Sequence, residues 1–213
     1  MSSIRGCFDI ILHGNKKQSG IAARQVRRLL YGRESSLSSG KSKYADIHYV
    51  LSNVQEIYSK ISEPWRIENY VVAISVIYYL RENILGPEHY FSWFYDLLLH
   101  PRGNIRYAAV RMIEFELGPL TVYIRILNFK SYHDNDQITP EKADEILFSL
   151  FVKLNDLLDK TWKSGYNKYR YVDSLPVGPY KSIQMVIVKM EERCGENYMN
   201  QLHKKYYIYQ TAN

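Results

Sequence analysis

Three arginines at helical spacing are the residues whose types and positions point most directly to binding chemistry. Arg24, Arg27 and Arg28 occupy positions i, i+3 and i+4, so a helix places their guanidinium groups on one face. Lys16 and Lys17 precede them at the turn of the same predicted helical hairpin. Guanidinium groups in this arrangement suit phosphate groups or acidic side chains. Three interpretations of the cluster stand at this point: a solvated face of a basic protein, an acidic protein partner, and a nucleic acid.

Aromatic and basic side chains alternate in a second segment, residues 166–171, whose sequence is Tyr-Asn-Lys-Tyr-Arg-Tyr. This pattern is typical of platforms on which the bases of single-stranded nucleic acid stack. A loop that packs its tyrosines against the last two helices explains the same pattern. The sequence favours the packed loop.

The metal-binding residue types do not form a convincing site. The six histidines never occur at i, i+4 spacing, so a zinc site would need ligands from distant segments; they are His13, His48, His89, His100, His133 and His203. Asp134, Asp136 and Glu145 match the first, third and twelfth positions of a calcium-binding loop. Thr139 stands where that loop requires glycine. We therefore predict no metal and no cofactor.

Motifs for covalent or phosphate chemistry are equally weak. Cys7 and Cys194 lie far apart and belong to no paired motif, which indicates free thiols in a reducing compartment. The segment at residues 38–42 (Ser-Ser-Gly-Lys-Ser) ends like a phosphate-binding loop, but Ser35 replaces its first glycine and no strand precedes it. A catalytic triad assembled only in space leaves no sequence signature. The sequence favours a protein without catalytic activity.

The net charge of +6 is concentrated near the amino terminus. Residues 1–60 contain ten Lys and Arg against four Asp and Glu, whereas residues 61–213 contain eighteen of each. With 46% hydrophobic and 23% charged residues, the composition is typical of a soluble globular protein. The longest apolar run, residues 71–80, is about half the roughly 20 residues that span a bilayer. No secretory signal is recognisable, so we predict a cytoplasmic protein without a membrane segment.

Apolar residues recur at helical spacing along most of the 213 residues, which predicts one all-α domain covering residues 1–213. Ile21, Val26, Leu29 and Leu30 form one such apolar stripe. Residues 33–44 are predicted to form a flexible polar loop, and residues 165–179 a less regular segment. Residues 121–124 (Thr-Val-Tyr-Ile) are the one stretch with strand propensity.

The clearest helical hairpin covers residues 88–118. Helix A is predicted from Glu88 to Leu99 and helix B from Asn104 to Leu117, closed by Gly118 and Pro119. Between them lies the turn Pro-Arg-Gly at 101–103, followed by Ile-Arg-x-x-Ala at 105–109. We expect Ala109 to lie where the two helices approach closely, and Arg106 to point outward.

These residues resemble one unit of the HEAT family of helical repeats. The resemblance implies antiparallel helical hairpins stacked into a short α–α superhelix. It also implies a non-enzymatic protein-interaction module or scaffold, with another protein as the expected partner. The alternative is a nucleic-acid-binding helical-repeat protein, related by fold to DNA-repair glycosylases. For either function, Arg102 and Arg106 join Lys16, Lys17, Arg24, Arg27 and Arg28 as candidate residues for binding a polyanion or a partner.

Overall fold

The computed structural model describes residues 3–31, 40–80, 88–126 and 138–212. Over these ranges the chain forms eleven α-helices and no strand, which confirms the all-α prediction. None of the described helices is long and apolar enough to cross a membrane. The fold is therefore built by packing the apolar faces of helices against one another.

The chain divides into two compact units, Met1–Leu85 and Gly86–Asn213. Each unit has its own buried apolar residues and is described separately below. Whether the two units fold as the single domain expected from the sequence stays a prediction.

The described part of unit 1 contains five α-helices. They are α1 (Ile4–His13), α2 (Lys16–Tyr31), α3 (Gly40–Ser52), α4 (Val54–Ser59) and α5 (Pro64–Ile77), and a 3₁₀ turn (Tyr78–Leu80) continues α5. Helix α5 is central because residues on most of its circumference are buried, among them Tyr70, Val71 and Ile74. Helix α2 packs against both α1 and α5. This packing fixes which face of α2 meets solvent.

Two expectations for unit 1 need correction. Helix α3 begins at Gly40, so the part of the predicted 33–44 loop that the structure describes, residues 40–44, is helical; residues 33–39 lie outside the described ranges. Ile21 does not belong to a buried apolar stripe, since half of its surface (50%) is exposed. The buried residues of α2 are small instead: Ser19, Ala22, Ala23 and Val26. Small side chains allow α2 to approach its neighbours closely.

Six α-helices are found in the residues of unit 2 that the structure describes. They are α6 (Glu88–Leu99), α7 (Gly103–Leu120), α8 (Val122–Arg125), α9 (Pro140–Thr161), α10 (Pro179–Cys194) and α11 (Glu196–Ala212). Helix α7 packs against α6, α9 and α10, and ten of its residues are buried, which makes it the centre of the unit. Two short 3₁₀ helices form in the region predicted to be less regular: Ser164–Lys168, which begins one residue before it, and Val172–Ser174.

The predicted hairpin at 88–118 is present as α6 and α7, and α6 has the predicted bounds. Helix α7 runs past Gly118 and Pro119 to Leu120, contrary to expectation. The extension is stable because Thr121 donates from both its backbone N–H (3.1 Å) and its Oγ1 (2.7 Å) to the carbonyl of Leu117. Residues 122–125 continue as helix α8, so the segment with strand propensity forms no strand.

Ala109→Leu is expected to be among the most damaging single changes in unit 2. Ala109 is fully buried on α7, where the added atoms have no free space. Overpacking of this kind costs about 1–3 kcal/mol, which a chemical denaturation midpoint measures. Tyr107→Leu, at an exposed position of the same helix, is the matched control and should change stability by about 0.5 kcal/mol or less. An unchanged midpoint for the Ala109 variant would mean that Ala109 is not at a helix–helix contact.

Candidate functional site

The solvent-facing side of α2 carries five cations and no acid. At 3.6 residues per turn, these cations and three uncharged residues lie within a sector of roughly 140°. The eight residues are Lys16, Lys17, Gly20, Ile21, Arg24, Arg27, Arg28 and Tyr31, which we call the cationic face of α2. All five cations are exposed, as the sequence predicts for a solvated or partner-binding cluster. Along the helix axis, Lys16 and Arg28 are about 18 Å apart.

Local hydrogen bonds fix where α2 begins. The backbone N–H of Asn15 donates to Oε1 of Gln18 (2.9 Å), and the backbone N–H of Gln18 donates to Oδ1 of Asn15 (3.0 Å). This reciprocal pair has the logic of a capping box, because each side chain satisfies a donor at the helix end. The start of α2, and with it the phase of the cationic face, is therefore encoded locally.

A buried polar network then attaches α2 to the rest of unit 1. Ser19 Oγ donates to the carbonyl of Ile11 (3.0 Å) and accepts from Nδ2 of Asn69 on α5 (3.0 Å). Arg66, also on α5, donates to the carbonyls of Ile11 (3.2 Å) and Leu12 at the end of α1. Since these bonds satisfy buried groups, they hold α2 against α1 and α5 in one orientation. The cationic face is the side that this orientation leaves outside.

The charges of the cationic face are not neutralised within the described part of the chain. None of Lys16, Lys17, Arg24, Arg27 and Arg28 forms an ion pair with a described residue. Two acids of unit 1 are engaged elsewhere, because Glu56 pairs with Lys60 (2.5 Å) and Glu63 with Arg66 (3.0 Å). The face therefore presents a positive potential to an approaching anion.

Two uncharged side chains of the face are also exposed, Ile21 (50%) and Tyr31 (62%). The ring of Tyr31 stacks on Tyr79, with ring centroids 6.5 Å apart and an interplanar angle of 17°. Burial, and then the neighbouring Tyr31, raise the pKa of Tyr79 to about 12, so this phenol is neutral at physiological pH. The Tyr31 ring, stacked on Tyr79, thus lies on the same face of α2 as the cations.

The two candidate arginines of unit 2 have different environments. Arg102 is exposed at the N-cap of α7. Arg106 is buried, so the expectation that it points outward is wrong. Its Nη1 donates to the carbonyls of His100 (2.7 Å) and Pro101 (2.8 Å), and its Nε donates to Ser182 Oγ on α10 (3.2 Å). Burial also lowers the pKa of the Arg106 guanidinium. Arg106 closes the α6–α7 turn rather than presenting a charge to a partner.

A polar cluster that sequence reasoning missed joins three helices of unit 2. Asp144 on α9 accepts hydrogen bonds from the hydroxyls of Tyr123 on α8 and Tyr198 on α11, which lie 3.2 Å from each other. Burial, followed by the bonds to Asp144, raises the pKa of both tyrosines, so each hydroxyl is held as a donor. The three side chains hydrogen-bond to one another. We therefore assign the cluster a structural role, which is to hold α8, α9 and α11 together.

The remaining sequence candidates give no site. Burial raises the pKa of the Cys194 thiol to about 12 and that of Cys7 above its usual value, which disfavours the nucleophilic thiolate. Within the described ranges, no three His, Cys, Asp or Glu side chains lie close enough together to hold a metal ion. Asp134 and Asp136 of the calcium-like pattern lie outside the described residues, as do residues 38 and 39 of the 38–42 segment, whereas residues 40–42 begin helix α3.

The chain matches no protein-family model, and comparisons with curated proteins and with solved structures likewise give no match. The resemblance of residues 88–118 to a HEAT unit therefore stays a prediction. The cationic face of α2 is the feature from which function is best argued.

Proposed function

We propose that this protein is a nucleic-acid-binding helical protein that contacts phosphate groups through the cationic face of α2. The observation that carries the proposal is the group of five exposed cations without an acidic neighbour on the same face. Phosphate groups supply the counter-charges that the described residues lack, and each contact releases condensed counterions from the nucleic acid.

The composition of the face favours nucleic acid over protein. Interfaces with nucleic acid are much more positively charged than interfaces between proteins, in which lysine is depleted. Five of the eight residues on this face are Lys or Arg.

The dimensions of the face also suit a phosphate backbone. A length of about 18 Å matches roughly five base pairs at 3.4 Å per step along a strand. Arg24, Arg27 and Arg28 are spread over one turn, so they reach phosphates on neighbouring nucleotides. These contacts carry no information about base sequence. We therefore propose binding that depends on charge and backbone rather than on sequence.

Salt dependence tests the proposal directly. With four to five phosphate contacts, the logarithm of the affinity for duplex DNA should fall with a slope of about −3.6 to −4.5 against the logarithm of salt concentration. Between about 50 and 200 mM salt, this slope lowers the affinity about 150- to 500-fold. Fluorescence anisotropy with labelled duplex and single-stranded DNA and RNA measures it. Absence of binding at low salt would remove nucleic acid as a partner.

A protein partner is the second candidate, in keeping with the scaffold role that a HEAT-like hairpin implies. The observation in its favour is the exposure of Ile21 and Tyr31 on the same face, since aromatic and apolar side chains anchor protein interfaces. An affinity purification from native cells, carried out with and without nuclease, separates the two candidates. A partner protein that is retained after nuclease treatment, together with absent binding to free nucleic acid, would favour the scaffold role.

A further inference from the structure

Three aromatic rings form a contacting cluster at the start of the irregular segment in unit 2. Trp162 meets Tyr166 edge to face (centroids 5.8 Å apart, 72°) and Tyr180 in the same manner (5.5 Å, 60°). Tyr166 and Tyr180 are themselves 5.0 Å apart. Because the other two rings hold it from the side, the Trp162 indole has a defined orientation. It nevertheless remains 47% exposed.

The next residues add two aromatic rings, each with its own cation. Nζ of Lys168 lies 5.1 Å from the ring centroid of Tyr169, and the Arg170 guanidinium carbon lies 5.3 Å from that of Tyr171. Tyr171 is 62% exposed. Residues 168–171 thus alternate cations with rings. Trp162 and Tyr171 are the exposed rings of the segment, and Tyr166 and Tyr169 are half-buried.

All charged side chains between Asp159 and Asp173 are positive. The intervening residues contain four cations, Lys160, Lys163, Lys168 and Arg170, and no acid. All four are exposed. The segment is held in place because Nζ of Lys181 on α10 donates to the carbonyls of Asp173 (3.1 Å) and Leu175 (3.4 Å).

We propose that Trp162 and Tyr171, with the cations Lys163, Lys168 and Arg170 of the same segment, form a binding site for single-stranded nucleic acid. Unpaired bases stack on the exposed indole and phenol rings, and the cations contact the phosphates between successive bases. We call it the aromatic platform. It lies in unit 2 and is argued from residues other than those of the cationic face.

Single strands fit the platform better than duplexes do. The bases of a duplex are stacked on one another, so their faces are not available to a protein ring, whereas an unpaired base offers its whole face. In this segment aromatic residues alternate with basic residues. A single strand alternates bases with phosphates in the same way, so the rings can contact bases while the cations contact phosphates. The platform therefore predicts a preference for unpaired strands that the cationic face of α2 does not.

The test compares two platform variants with a matched aromatic control. Trp162→Ala and Tyr171→Ala should each weaken binding of an oligo(dT) of about 15 nucleotides by about tenfold, and binding of a duplex of equal length by less than about twofold. Tyr107→Ala removes a tyrosine with similar exposure (58%) from α7 and should leave both affinities unchanged. Anisotropy at constant low salt gives these values.

Tryptophan fluorescence locates the contact. Oligo(dT) should quench the Trp162 emission of the parent protein. Trp162→Phe should lose this component, because Trp93 is buried (4% exposed), whereas Trp65→Phe, which removes the tryptophan of unit 1, should keep it. If Trp162→Ala fails to fold by circular dichroism, Tyr171→Ala decides the result alone, since its ring is exposed and its assigned contact is with Arg170.

Three outcomes would overturn the platform: oligo(dT) affinities in both variants equal to those of the parent, equal weakening of duplex binding, or a similar loss in Tyr107→Ala. Binding of phosphatidylserine vesicles that requires Trp162, without oligo(dT) binding, would also overturn it in favour of a membrane surface. The proposal for α2 has a separate test. If the parent protein does not bind duplex DNA, the proposal for α2 fails, and quenching of Trp162 by oligo(dT) still tests the platform.

Discussion

Replacing Arg24, Arg27 and Arg28 together by glutamate is expected to weaken duplex binding by more than about 100-fold at low salt. The change removes three phosphate contacts and places three negative charges on the surface that faces the phosphates. All three side chains are exposed and have no ionic partner among the described residues, so the far-UV circular dichroism spectrum should stay that of the parent protein. Exposed substitutions typically change stability by about 0.5 kcal/mol or less.

A control with the same total charge separates local contact from net charge. Arg111, Lys204 and Lys205 are exposed cations of unit 2 outside the aromatic platform, and their joint replacement by glutamate changes the net charge equally. This control should retain much more of the duplex affinity. The triple glutamine variant of the α2 arginines should reduce the salt slope by about 2.7, corresponding to three lost phosphates. Equal losses in the two glutamate variants would show that α2 is not the contact, and unfolding of the α2 variant would show that its arginines are structural.

Arg106→Leu is expected to destabilise unit 2 by about 3 kcal/mol, because the buried guanidinium donates charge-assisted hydrogen bonds to two backbone carbonyls and a hydroxyl. Leucine fills part of the space but donates no hydrogen bond, so the carbonyls of His100 and Pro101 and the hydroxyl of Ser182 lose a partner. Denaturant unfolding followed by circular dichroism measures the loss as a lower midpoint at an unchanged slope.

Arg111→Leu is the matched control, since Arg111 lies one and a half turns further along the same helix and is exposed. Its midpoint should stay within about 0.5 kcal/mol of the parent value. Nucleic-acid binding by Arg106→Leu at a temperature where the variant is folded should equal that of the parent. Weaker binding by a folded Arg106 variant, with unchanged stability, would restore Arg106 to the binding residues and contradict the assignment made here.

Local sequence determined the helices and some of their ends. The 3.6-residue recurrence of apolar side chains indicates α6 with its observed bounds, and Thr139 is visible in the sequence as the cap of α9, where its Oγ1 accepts from the backbone N–H of Lys142 (3.2 Å). Gly195 is equally readable as the residue after α10, since its φ of 78° is rarely adopted by other residues. These features depend on neighbours within one or two turns.

Helical geometry likewise fixed that Arg24, Arg27 and Arg28 share a face, because residues three and four apart are neighbours on any helix. That this face meets solvent was decided by contacts across the fold. Ser19, which the sequence analysis did not single out, bonds to Asn69 fifty positions away, and this contact turns the small side of α2 toward α5.

Arg106 is the clearest case in which the sequence alone did not predict the environment of a side chain. A charged residue beside a turn is expected at the surface, because burying an unpaired charge is costly. Only the folded unit brings together the two carbonyls of the α6–α7 turn and Ser182, 76 positions away, which offset that cost. The same holds for the aromatic platform: the sequence displays the alternation at residues 166–171, but Trp162 and Tyr180 join Tyr166 only because the chain between α9 and α10 folds back. Local periodicity determined the elements, whereas long-range hydrogen bonds and ring contacts decided which charges are buried and which remain available to a partner.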